Sequence, residues 1–103
     1  MDLDRHILKV LKKKGSNFRK THAVEFYVYC TTKASAKKIA AKARKAGFHC
    51  AVMSDRSAKR WVCLPIQEMF PKLKNIQTAK KLLNRLAKPL GGHCDGWGTQ
   101  IEK

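Results

Sequence analysis

The chain has 103 residues, the size of one ordinary domain and too short for two independent cores. Apolar residues make up 44% of it and fall in periodic segments, which excludes disorder as a whole-chain reading. Lysine and arginine number 23 against 7 aspartates and glutamates, a formal net charge of +16 at pH 7. Such an excess favours polyanions through counterion release but carries no sequence specificity.

In chain order, Leu3, Ile7, Val10 and Leu11 recur at helical spacing between Asp2 and Lys14. Asp2 and Asp4 open this helix and Lys12, Lys13 and Lys14 end it, the polarity that the helix dipole favours. The same acids stand where a secretory signal would need positive charge, and no long apolar stretch follows. The chain is therefore expected in the cytoplasm, without a membrane span. Gly15 and Ser16 stop the helix, and a basic loop runs from Asn17 to Thr21.

His22 to Cys30 reads as a strand with Val24, Phe26, Val28 and Cys30 on one face and Glu25, Tyr27 and Tyr29 on the other. Thr32 can cap a helix running to Ala46, with Ala36, Ile39, Ala40 and Ala43 inward and Gly47 as its stop. A second strand is expected over Phe48 to Ser54, a turn at Asp55-Arg56-Ser57, and a third strand over Lys59 to Pro65. Ile66 to Lys74, with Met69-Phe70-Pro71 inside it, reads as a hydrophobic loop or one irregular turn. Asn75 opens a helix whose stripe is Ile76, Ala79, Leu82, Leu83 and Leu86 and which ends before Pro89. A last strand is expected over His93 to Glu102.

The predicted order after the first helix is β-α-β-β-α-β. The fold class that follows is α+β, a ferredoxin-like sandwich with two helices on one face of a four-stranded antiparallel sheet, extended by the N-terminal helix. Residues 1–16 form that helix and residues 22–103 the sandwich. Cys30, Cys50, Cys63 and Cys94 lie far apart with no C-x-x-C pair, each in a predicted strand. They are expected as small buried hydrophobes rather than metal ligands or disulfides.

The string Cys94-Asp95-Gly96-Trp97-Gly98-Thr99 after the Gly91-Gly92 helix exit is similar to the C-terminal signature of the RraB family of ribonuclease E regulators. Val24-Glu25-Phe26-Tyr27-Val28-Tyr29, Ala46-Gly47-Phe48, Trp61-Val62-Cys63-Leu64, Asp2-Leu3-Asp4 and Gly15-Ser16 follow the family's order and spacing, so the resemblance spans residues 2 to 102. It implies a ferredoxin-like domain that inhibits ribonuclease E by binding it, with no catalytic residue. The family's known inhibitors are acidic and carry an acidic tail, whereas this chain is strongly basic. The arginine-rich regions of ribonuclease E that attract an acidic inhibitor should repel it.

Three constellations are candidates for function. Lys37, Lys38, Lys42, Arg44 and Lys45 in one sandwich helix and Lys80, Lys81, Arg85 and Lys88 in the other are expected to merge into one positive surface. No acid occurs between Glu25 and Asp55 or between Glu68 and Asp95, so nothing in these segments offsets them. Tyr27 and Tyr29, joined by Trp61 and Lys59 if those share their face, resemble a base-stacking platform. The N-terminal helix must also bury its stripe, and the tyrosine face is where it is expected to settle. Asp95, Gly96, Trp97 and Gly98 suit a recognition site, or a bulged strand with Trp97 as a core anchor. His6, His22, His49 and His93 are scattered, and adjacent His49-Cys50 and His93-Cys94 point to opposite faces. No glycine-rich phosphate loop, nucleophile elbow or H-E-x-x-H helix is present. No catalytic residue, cofactor or metal is expected. The reading is a non-enzymatic regulator of RNA metabolism that binds a protein partner, a ribonuclease being the family's example, or a ribonucleoprotein. Direct RNA binding is the alternative.

Overall fold

The computed structural model describes residues 3–103. Met1 and Asp2, part of the expected first helix, lie outside the described residues. The elements are α1 (Leu3–Lys13), β1 (His22–Cys30), α2 (Lys33–Lys45), β2 (His49–Asp55), β3 (Arg60–Met69), α3 (Leu73–Ala87) and β4 (His93–Gly98), with one 3-10 turn at Lys88–Leu90. The four strands form one antiparallel sheet in the order β2-β3-β1-β4.

Strict alternation in β1 decides the core. His22, Val24, Phe26, Val28 and Cys30 are buried, while Glu25, Tyr27 and Tyr29 are half-buried on the other face. The buried set packs against Ala36, Ile39 and Ala43 of α2 and Ile76, Ala79, Leu83 and Ala87 of α3, so both helices cover one side of the sheet. Each fully buried large side chain there contributes about 1.5–3 kcal/mol. Thr32 caps α2 by accepting a 3.1 Å hydrogen bond from the Ser35 N–H.

Three boundaries differ from the sequence expectation by two residues or more. β3 continues through Pro65 to Met69, because residues beyond the proline still pair with β2 and β1: His49 lies opposite Ile66, and Val24 opposite Gln67. The β1 ladder lapses at Phe26 and Tyr27, whose positions face Pro65 and Leu64, and a proline has no N–H to give. α3 starts at Leu73, and Asn75 instead ties the helix entry by donating to the Phe70 carbonyl at 3.0 Å. β4 ends at Gly98, since the residues beyond it bond through side chains and loop backbone instead of extending the ladder. Thr99 donates to the Ala23 carbonyl at 2.8 Å, the Glu102 N–H donates to Ser16 Oγ at 3.1 Å, and Asn17 N–H donates to the Glu102 carbonyl. Ser16 also meets buried His22 Nε2 at 2.6 Å, and His22 Nδ1 lies 3.0 Å from the Lys20 carbonyl. That carbonyl can only accept, which places the imidazole proton on Nδ1.

α1 does not lie over the tyrosines. It packs on α3, on the helical side of the sheet, with Leu11 buried and Ile7 and Leu8 against the core. Its stripe carries Asp4, only 6% exposed, and a buried carboxylate requires donors. Lys80 of α3 supplies them at 3.1 and 3.3 Å and Trp97 Nε1 of β4 at 3.0 Å, and both stand on the helical side.

Candidate functional site

The surface that the helices turn to solvent is almost entirely cationic. In α2, Ala36, Ile39, Ala40 and Ala43 face the sheet, which leaves Lys37, Lys38, Lys42, Arg44 and Lys45 exposed. In α3, Lys81, Arg85 and, one turn on, Lys88 are exposed at i, i+4 and i+7. The structure sorts these eight, and Lys80 with them, further. Arg44 is drawn to the β2 edge, where its guanidinium donates to the Cys50 carbonyl at 2.7 Å, and Lys37 shares that flank at i−7. Lys80 is 25% exposed and paired with Asp4, so it belongs to the α1 contact rather than to the open surface. Lys38, Lys42, Lys45, Lys81, Arg85 and Lys88 remain as the outward set on two neighbouring helices. Like charges at i,i+4, as in Lys38 and Lys42 or Lys81 and Arg85, each destabilise by about 0.2–0.5 kcal/mol.

Among the described residues, no helix covers the opposite sheet face. Register places Tyr29 opposite Val62 and Ala51 opposite Leu64, so Tyr27, Tyr29, Val62, Leu64, Ile66 and Met53 share it, Met53 being 54% exposed. Trp61 pairs with Cys30 and therefore points to the helical side, where Lys33 Nζ sits 5.7 Å from its ring. The three aromatics do not form one platform, because residues 61 and 62 project to opposite faces. Lys59 is a turn residue rather than a strand member, with φ at 52°. Arg60 takes the place expected of Trp61: its guanidinium stacks 3.7 Å from the Tyr29 centroid while its Nε donates to Asp55 at 3.1 Å. Arg60 and Lys33 escaped the sequence reading, since their aromatic partners depend on strand register.

The Asp95 to Gly98 string is divided between the faces. Trp97 is buried and bonded to Asp4, while Asp95 is exposed, 3.8 Å from His93 Nε2, beside the bulge opposite Tyr27 and Val28. Gly96 and Gly98 form the bed for the Tyr27 ring. A Cβ at Gly98 would stand 3.0 Å from the Tyr27 hydroxyl oxygen, and one at Gly96 would stand 3.6 Å from Cδ2. Burial first, and then the Glu25 carboxylate, push the Tyr27 hydroxyl pKa up.

All four cysteines are free thiols. Cys50, Cys63 and Cys30 run diagonally across β2, β3 and β1 beneath α2. The neighbouring Cys63 thiol, aided by the Arg44 charge, holds Cys50 below the usual thiol range in spite of its desolvation, while Cys63 Sγ itself donates to the Ala36 carbonyl at 3.2 Å. Cys63 is correspondingly pushed far up, and burial raises Cys94 to about 11. Among the described residues no group of three or more His, Cys, Asp or Glu is placed to hold a metal, and no helix is long and apolar enough to cross a membrane.

Residues 1–99 match the family model RraB, described as regulator of ribonuclease activity B. No curated protein matches the chain.

Proposed function

The chain belongs to the RraB family of regulators of ribonuclease activity, and from that membership we propose that it is a cytoplasmic, non-enzymatic regulator of RNA metabolism that docks to a protein or ribonucleoprotein partner. The observation that carries this reading is the outward set Lys38, Lys42, Lys45, Lys81, Arg85 and Lys88, exposed on neighbouring helices with no acid in either helix. Such a surface attracts an anionic partner and raises its association rate. The element order and the strand order β2-β3-β1-β4 support a ferredoxin-like split βαβ scaffold beneath it. One domain formed by residues 22–103, with α1 clamped to it through Asp4, fits the same reading. Ribonuclease E itself fits through any acidic surface it offers, not through arginine-rich segments.

A second reading, direct RNA binding, is supported by the uncovered sheet face with Tyr27 and Tyr29. A pull-down from the native cell with and without nuclease treatment separates the two. A ribonuclease retained after nuclease treatment supports protein docking, and loss of every captured protein supports RNA. An RNA affinity that falls with salt at a slope of about 0.7 to 0.9 log units per phosphate contact is the matching signature of the second reading.

A further inference from the structure

A groove opens between α3 and the end of β3, bordered by the connection from α2 to β2. It has a volume of about 510 Å³, and Phe48, Met69, Phe70, Ala79 and Leu82 give it an apolar lining. Phe48 and Ala79 are buried and form its floor, while Phe70 stands at the rim 43% exposed. Its polar lining groups are partly committed to the chain itself. Gln67 Nε2 donates to the Gly47 carbonyl at 3.4 Å, and Asn75 Nδ2 donates to the Phe70 carbonyl at 3.0 Å. The interior therefore offers little to a polar ligand and suits an apolar side chain.

The rim has one sign of charge. Lys74 lines the groove, Lys81 lies at i+7 from it, and Lys42 and Lys45, in the last turn of α2, precede the lining residue Ala46 by four positions and one. The nearest acid in sequence, Glu68, is adjacent to inward-facing Gln67 on β3 and so points to the other side of the sheet.

We propose that this groove takes a large apolar side chain, Phe or Leu, from an acidic segment of a partner protein, whose carboxylates meet Lys42, Lys45, Lys74 and Lys81. The inference rests on the protein-docking reading and deepens it by naming what is docked. RNA fits the rim but not the interior. A sugar-phosphate chain carries no aliphatic side chain to insert, and a base needs an aromatic platform where the groove has a single exposed ring.

The test uses fluorescence anisotropy on the full chain with two labelled 12-residue peptides, both rich in Asp and Glu. One has a central Phe and the other has Ser in its place. Burying the Phe ring should tighten binding about tenfold or more. Thr78→Tyr, at an exposed position that lines the groove, should fill the space and abolish that difference, as should Phe70→Ser. Equal affinity for the two peptides overturns the groove assignment and leaves the cationic helical surface intact. A single-stranded RNA of the same charge that binds more tightly than the Phe peptide and loses affinity in Thr78→Tyr overturns it in favour of nucleic acid. Absence of binding by either peptide and by the RNA at low salt overturns both the groove and the docking reading from which it starts.

Discussion

Asp4 joins three elements through one carboxylate, accepting from Trp97 on β4 and Lys80 on α3 while belonging to α1. Removing it leaves a buried indole N–H and a half-buried ammonium without their acceptor, which is costlier than losing a surface pair. Asp4→Ala should destabilise the fold by about 2–4 kcal/mol, read from urea unfolding. A loss below half a kcal/mol would show that water replaces the carboxylate. Cys50 makes a second residue-scale prediction. With its pKa lowered by Cys63 and Arg44, it holds a larger thiolate fraction at neutral pH than Cys63 or Cys94, whose pKa values are raised. Iodoacetamide at pH 7 should label Cys50 first by mass spectrometry, and Arg44→Gln should slow that reaction. Comparable labelling of Cys94 in the folded protein would contradict the assignment. The burial of the β1 cysteine was readable from alternation, whereas the diagonal meeting of Cys50, Cys63 and Cys30 needed the register of three strands.

At the scale of elements, the local signals were strong where a single face is buried. Alternation in His22–Cys30, the Thr32 cap and the Ile76, Ala79, Leu83 stripe all match their observed roles. Signals failed where pairing overrides propensity. Pro65 reads as a strand end, yet neighbouring pairs carry β3 past it to Met69. An apolar stripe on α1 says that the helix must pack, but not on which side of the sheet. The buried partners of Asp4 settle that, and they lie 76 and 93 residues away in sequence. The β2–β3 turn carries its own expectation. Lys59 adopts φ 52°, a left-handed conformation that strains any residue with a Cβ. Lys59→Gly should stabilise the protein on the order of 0.5 kcal/mol, the relief of strain being partly offset by the greater freedom of glycine in the unfolded chain. A lower midpoint in thermal unfolding would mean that the Lys59 side chain makes a contact worth more than the strain.

Across the whole molecule, charge and stability pull in opposite directions. The outward lysines repel one another along each helix, so an acid placed among them should help the fold and harm polyanion binding. Lys38→Glu, in the middle of α2, replaces the like-charge pair with Lys42 at i+4 by an attractive one in the Glu-before-Lys order that a helix favours. It should raise stability by about 0.5–1 kcal/mol while weakening binding of an acidic peptide or RNA. Unchanged binding would remove α2 from the interface. This surface was legible in outline, because the absence of acids from both helix segments is a property of sequence alone. Its subdivision was not: Lys80 and Arg44 carry the same charge as their neighbours, and only tertiary contact assigns one to Asp4 and the other to the Cys50 carbonyl.

The bond between Trp97 and Asp4 also gives the molecule a native optical probe. The indole of Trp97 is enclosed by the core and tied to α1, while Trp61 stands elsewhere on the sheet beneath Lys33. Undocking of the first helix would wet Trp97 alone and move its emission to longer wavelength before the sheet melts. With Trp61 replaced by Phe, the remaining fluorescence would follow that single event without any added dye.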